Sequence, residues 1–366
     1  MSSADASTTK PPRKVGKAIA DAIARGAPNV ELSRLPDLTD MTAETLTENV
    51  IKINSLCEDP RLKFVMERAV THLHAFAKEV GLTTEEWMAT IQFLTATGKI
   101  CSDIRQEFIL LSDILGLSAL VDTMNHPVPA GSEATEATVL GPFFTEDSHD
   151  IPAGESIASE GKGEYMYVQG YVKDLQGKGI EGCTVETWET DEDGEYILKE
   201  LRSGPRMTLS SSGLYDTQYD GRSQPDCRGR LTTDKDGKYC YRAVLPVAYP
   251  IPNDGPVGTF LRKLNRHVFR PAHLHMQFAA KGFEPLTTAL YFTGDDYLKS
   301  DAVFGVKSSL VCDVKEITDE ASAKALGFRH APYYLLDRDF VLITTEEAEI
   351  EKRKSLANYY ASLQAK

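Results

Sequence analysis

The spacing of apolar residues changes partway along this chain, and that change constrains the fold more than any other feature. Between residues 42 and 125 apolar side chains recur at intervals of three and four, the period of a helix face. From residue 165 they alternate, the period of a strand with one buried face. At 366 residues the chain is long enough for two core-bearing regions. A helical part followed by a sheet part is therefore expected.

Segment 15–25 predicts a short amphipathic helix. Segment 44–57 places Leu46, Val50, Ile53 and Cys57 on one side, and 60–80 repeats this with Leu62, Val65, Val70, Leu73, Phe76 and Val80 before Gly81. Thr83-Thr84-Glu85-Glu86 has the form of a capping box and opens a further helix. Another, over about 102–115, carries Ile104, Phe108, Leu111, Ile114 and Leu115 and stops at Gly116. Prolines and glycines then break residues 126–164 into a connector, although its VLGPFF stretch is too apolar to be only a solvated linker. YMYVQGYVKD, GCTVETWET, RPAHLHMQFAA, LTTALYFTG and FVLI read as strands, and Asp236-Gly237 between two strand-like runs predicts a hairpin. Thr344-Thr345-Glu346-Glu347 caps a charged helix that runs to about residue 363. The expected fold is mixed and mainly β. It has a flexible extension over 1–40, with the first dozen residues disordered, a helical domain with connector over 41–145, and an antiparallel β-sandwich with a C-terminal helix over 146–366.

The net charge of −14, from 54 acidic and 40 basic residues, argues against nucleic acid as the partner, because phosphate binding needs a basic face. No P-loop or G-x-G-x-x-G motif supports phosphate or dinucleotide chemistry. The six cysteines are scattered without a C-x-x-C pair, so reduced thiols and a cytoplasmic setting are expected. Neither a signal peptide nor an apolar run long enough to span a membrane is visible.

The candidate chemistry lies in Arg270-Pro271-Ala272-His273-Leu274-His275-Met276-Gln277-Phe278. On a strand, His273, His275 and Gln277 share one face, while Leu274, Met276 and Phe278 point to a core. Two imidazoles on one face are close enough to share a metal ion. The chain carries its own control: His72-Leu73-His74 has the same spacing in a helical segment, where residues two apart diverge and read as a surface or packing pair. His126, His149, His267 and His330 are isolated. Zinc sites usually add cysteine or a carboxylate, and no such residue stands near His273 and His275 at obvious ligand spacing. Fifteen tyrosines offer phenolate oxygen instead, a hard donor suited to ferric iron, but chemistry alone does not select among them.

RPAHLH, with Tyr249 upstream in LPVAYPIP and Tyr215 in Gly213-Leu214-Tyr215, resembles the intradiol ring-cleavage dioxygenases, over about residues 40–310. In that family two tyrosines and two histidines hold one Fe(III), so the resemblance implies Tyr215, Tyr249, His273 and His275 as ligands. It also implies Arg270 as the active-site arginine and Tyr249 as the ligand that takes a proton from the substrate. Taken alone, Arg270 reads more readily as a surface or structural ion-pair partner. The family's pocket positions fall on Leu110, Asp113, Val139, Leu140, Gly141, Pro142, Phe143, Ile251, Pro252 and Val303. The resemblance further implies a β-sandwich catalytic domain, a helical domain that makes a homodimer, and a phospholipid at the helical interface.

Within the family, GLYDTQ, YPIPNDGPVG, RPAHLH and SDAVFGVK are most similar to the members that cleave hydroxyquinol (benzene-1,2,4-triol) with O2 to maleylacetate. Catechol or a substituted catechol, giving a cis,cis-muconate, is the alternative. Catechol-cleaving members carry glutamine after the Thr-Thr pair, where this chain has Ala289 after Thr287-Thr288. Asp113 is either an acceptor for the third hydroxyl or a helix-end residue bonded to backbone or water. A binding module without catalysis and a zinc hydrolase complete the alternatives.

Overall fold

The computed structural model describes residues 16–364 apart from 29, 103–104, 193–212 and 220. The expected disorder of the first dozen residues, and Ile104, lie outside the described residues. The chain divides into two compact units, Met1–Gln92 and Phe93–Lys366.

The first unit contains α1 (Lys17–Ala24), α2 (Leu46–Asn54), α3 (Pro60–Glu79) and the start of α4 (Thr84–Ile100). The Asp59 carboxylate accepts from the amides of Arg61 and Leu62, with Pro60 at the first helical position, so α3 starts with its free amides satisfied. Thr83 and Glu86 exchange side chain-to-amide bonds of 3.0 and 3.2 Å, the expected capping box.

The second unit adds α5 (Glu107–Ile114) and α6 (Leu117–Asn125). Helix α5 starts later than its pattern suggested. The Ser102 amide donates to the Arg105 carbonyl, and the Ser102 hydroxyl accepts from the Arg105 amide, contacts that the apolar periodicity does not register. Next come β1 (Tyr165–Lys173), β2 (Thr184–Glu189), β3 (Arg228–Thr232), β4 (Lys238–Val244), β5 (Tyr249–Pro250), α7 (Pro256–Lys263), β6 (Phe269–Arg270), β7 (His273–Ala279) and β8 (Leu286–Phe292). The chain ends with β9 (Val311–Cys312), β10 (Lys315–Ile317), α8 (Glu320–Ala325), β11 (Tyr333–Asp337), β12 (Phe340–Val341) and α9 (Thr345–Gln364). Thr344 and Glu347 cap α9 reciprocally.

Two five-stranded sheets result, one ordered β10-β11-β1-β12 with β4 also on β1, the other β3-β2-β7-β8-β9. Alternate residues of both sheets, among them Met166, Val168, Tyr241, Val185, Leu274 and Phe278, enter one buried cluster.

The sheets are not antiparallel throughout. β11 and β12 run parallel to β1, and β9 parallel to β8, because long excursions bring the chain back in the same direction. Nor does Asp236-Gly237 close a hairpin: β3 pairs with β2 and β4 with β1. The turn itself forms, with Gly237 at φ +79° and its amide donating to Asp234. Two turn residues set the bend, and burial of the flanking strands sends them to different sheets.

The RPAHLH segment is also two strands. Pro271 has no amide to give, so β6 ends there and pairs with β5, which sets Tyr249 opposite Arg270. β7 then starts at His273, deep in the second sheet.

Candidate metal centre

On β7 the expected alternation holds. Leu274, Met276 and Phe278 are fully buried in the core cluster, and His273 and His275 share the opposite face with their Nε2 atoms 3.1 Å apart. The Tyr215 hydroxyl lies 3.1 Å from His273 Nε2 and within hydrogen-bond reach of Tyr249. Tyr215 is held by a short turn in which its amide donates to Gln218 Oε1 and its carbonyl accepts from the Gln218 amide. The four side chains are at most 2% exposed.

Burial pushes the Tyr215 phenol well above its ordinary pKa, and the neighbouring Tyr249 adds to this. Burial raises Tyr249 too, against the lowering effect of Arg270. Burial holds His273 well below its usual value, with Arg270 adding; for His275, His273 and Arg270 both add. The imidazoles are therefore neutral. His273 Nδ1 lies 2.7 Å from the Pro271 carbonyl, which only accepts, so Nδ1 carries the proton and Nε2 presents a lone pair.

Donors bound to one metal at about 2.0–2.1 Å and at right angles stand about 3 Å apart. The Tyr215–His273 and His273–His275 spacings match that edge, so the donor set suits a metal ion. No group of three His, Cys, Asp or Glu able to hold a metal occurs among the described residues. His72 and His74 part as expected: His72 Nε2 meets Arg68, and His74 Nδ1 meets Thr47.

Arg270 is 1% exposed and forms the structural ion pair that was one of its two readings. Its Nε and Nη2 grip the Asp301 carboxylate at 3.1 and 3.3 Å. Nη1 reaches Tyr249 Oη at 3.4 Å and His273 Nε2 at 3.2 Å, and Nη2 also meets Tyr291 Oη. Burial, the largest single influence, would depress this guanidinium, but Asp301, Tyr249 and Tyr291 together hold its pKa above the ordinary value. Asp301 also accepts from the amides of Val303 and Gly305, so one carboxylate shapes the 301–305 loop and anchors the arginine. A Cβ on Gly305 would stand 2.7 Å from Tyr291 Oη and 2.8 Å from Arg270 Nη2, so a larger residue would force these side chains to shift.

The pocket expectations divide. Leu110, Ile251 and Val303 are buried in one cluster with Tyr215 and Tyr249, and Val139 and Phe143 pack against it. Phe143 stacks on Tyr215 at 4.6 Å. Gly141, at φ +75°, lies so close to His275 that a Cβ would sit 3.4 Å from Nε2. Leu140 and Pro142 are on the exposed side of this loop, and Pro252 is half-buried outside the cluster. Asp113 is half-buried near the end of α5; burial raises its carboxyl, and it feels the charges of Arg270 and Asp301.

Four positions were missed from sequence. Asp301 stood inside a quoted motif without a role. Arg228 and Asp216 form a buried ion pair behind Tyr215, with Arg228 also holding the Phe143 carbonyl and the Thr145 hydroxyl. Trp188 lies directly across the sheet from His275, a neighbour that only strand register reveals.

Residues 59–133 match the family signature "Catechol dioxygenase N terminus", and residues 207–331 match "Dioxygenase". An intradiol ring-cleavage dioxygenase of Aspergillus niger is 49% identical over 88% of this chain and 91% of its own length. The chain belongs to the intradiol ring-cleavage dioxygenases. A hydroxyquinol 1,2-dioxygenase of a Rhizobium species is 44% identical to this intradiol dioxygenase, over 82% of this chain and 95% of its own. The solved hydroxyquinol 1,2-dioxygenase of Pseudomonas putida superposes on it with a TM-score of 0.72 at 39% identity, covering 82% of this chain and 98% of the other.

Proposed function

We propose that this dioxygenase cleaves hydroxyquinol with O2, between its adjacent hydroxyl-bearing carbons, to maleylacetate. One ferric ion would be held by Tyr215, Tyr249, His273 and His275. The observation that carries this reading is the convergence of two phenols, two neutral imidazoles and one guanidinium in a buried site. Bound there, ferric iron supplies Lewis acidity, which holds the tyrosines as phenolates and acidifies the diol.

The protein's own residues do the rest. Tyr249 Oη takes a proton from the incoming diol, and Arg270 Nη1 beside it stabilises the negative charge that collects on ring and oxygen. Leu110, Ile251 and Val303 exclude water around the ring. Asp113 accepts a hydrogen bond from the third hydroxyl, which catechol lacks. Asp113→Ala is expected to lower the ratio of hydroxyquinol to catechol turnover about tenfold or more, as loss of a specific polar partner does. Oxygen uptake on both diols measures it, and an unchanged ratio removes Asp113 from specificity.

The two sheets with their shared core support the β-sandwich reading of the catalytic part. For the N-terminal helices we propose the family's homodimer with bound phospholipid. Exposed Leu46, Leu62, Leu73, Phe76 and Val80 support it, an apolar surface larger than scattered single residues. The absence of a disulfide among the six cysteines supports a cytoplasmic setting, and no helix among the described residues is long and apolar enough to cross a membrane.

A further inference from the structure

The two histidines of the proposed iron site are supported differently. A histidine that binds a metal usually donates its other ring N–H to a carbonyl, carboxylate or water, which fixes the ring and its tautomer. His273 does so, through Nδ1 and the Pro271 carbonyl. His275 does not: its Nδ1 is buried and meets no hydrogen-bond partner among the described residues.

What His275 has instead is a face. Trp188 is its direct cross-strand neighbour, and the two rings lie 4.8 Å apart and only 9° from parallel. Directly opposite on the other side, β8 presents Ala289, which has no polar group to offer. Trp188 is 1% exposed and is itself braced by the edge of Phe144 at 5.1 Å. Its Nε1 is buried without a partner among the described residues, so the indole acts there through its ring and not its N–H.

We propose that Trp188 is a positioning residue for His275, its indole face taking the place of the missing hydrogen bond. The physical reason goes beyond packing. When Nε2 shares its lone pair with a cation, the imidazole ring becomes electron-poor. An indole carries the most electron-rich face of the aromatic side chains and attracts such a ring more than a phenyl does. The stack therefore strengthens as the metal binds, and it favours the ring plane that aims Nε2 at His273 and the two phenols. Trp188 is not among the proposed ligands; it acts through His275.

This rests on the proposed iron ligands, and the test separates the two claims. Wild type, Trp188→Phe, Trp188→Met and Phe278→Leu holoenzymes are mixed with excess EDTA. Decay of the visible phenolate-to-iron band and iron per subunit are followed, with the thermal midpoint of each apoprotein measured alongside. Methionine fills the space without a face. Trp188→Met is expected to release iron roughly 10–100-fold faster than wild type, the usual scale for such supporting partners. Trp188→Phe is expected to fall between them. Phe278→Leu, a substitution in the core away from the site, is expected to lower the midpoint and leave iron release unchanged.

Equal release from wild type and both Trp188 variants overturns the inference, as does release from Phe278→Leu as fast as from Trp188→Met. Should Trp188→Met fail to fold, Trp188→Phe against wild type still decides, because equal rates overturn the proposal. A wild-type protein with neither iron nor the band overturns the ligand assignment itself.

Discussion

Tyr249→Phe is expected to give a folded protein that has lost its visible band, most of its iron and its ring cleavage. The substitution removes one oxygen and leaves the ring in place, among the buried residues Tyr215, Ile251 and Val257. Arg270 loses one contact at 3.4 Å and keeps Asp301 and Tyr291. Stability should therefore change little, while the proposed iron site loses an anionic donor and its proposed proton acceptor. Lewis-acid stabilisation is worth several kcal/mol, and about 4 kcal/mol corresponds to roughly a thousandfold in rate. His273→Ala should do the same with a larger structural cost, since it also abandons the Pro271 carbonyl. Visible absorption, iron per subunit, circular dichroism and oxygen uptake on hydroxyquinol check this together. A Tyr249→Phe protein that keeps its colour and its turnover would end the four-ligand reading.

The parts of this site that could be read from sequence are those fixed by local periodicity. Alternation along β7 put His273 and His275 on one face, and the same spacing in α3 separated His72 from His74. The capping boxes at Thr83 and Thr344 were equally local. What could not be read depends on which strands become neighbours. Asp236-Gly237 declared a bend but not that β3 and β4 join different sheets. Pro271 declared a missing amide, yet its consequence, Tyr249 opposite Arg270, follows only once β5 is there to pair. β11 matches no hairpin pattern because it lies parallel to β1, more than 150 residues away in sequence. Tyr215 and Tyr249 were identified by the family resemblance; nothing in their local sequence separates them from thirteen other tyrosines. Asp301 and Trp188 carried no signal of their own.

Arg270→Lys and Asp301→Asn are expected to fail in different ways, and the contrast separates the arginine's ion pair with Asp301 from its proposed role in the reaction. Lysine keeps a positive charge for Asp301 to pair with, so the 301–305 loop and the fold should survive. An ammonium is a single point of charge, however. It cannot hold both Asp301 oxygens and at the same time reach Tyr249 Oη and His273 Nε2, as the three guanidinium nitrogens do. Removing one preorganised donor from developing negative charge costs about 10²–10³ in kcat. That loss should appear in kcat, with KM for hydroxyquinol little changed. In Asp301→Asn the guanidinium stays but loses its buried counter-charge. The asparagine NH2 also faces either Arg270 or the amides of Val303 and Gly305, setting donor against donor. Breaking a buried ion pair costs about 3–5 kcal/mol, so this variant should unfold at much lower denaturant. The displaced Val303 wall should raise KM as well. If Arg270→Lys retains wild-type kcat, the arginine is only the structural partner of Asp301. If both variants lose stability equally and kcat follows, the guanidinium's reach toward Tyr249 is a consequence of the loop and not a contribution to the reaction.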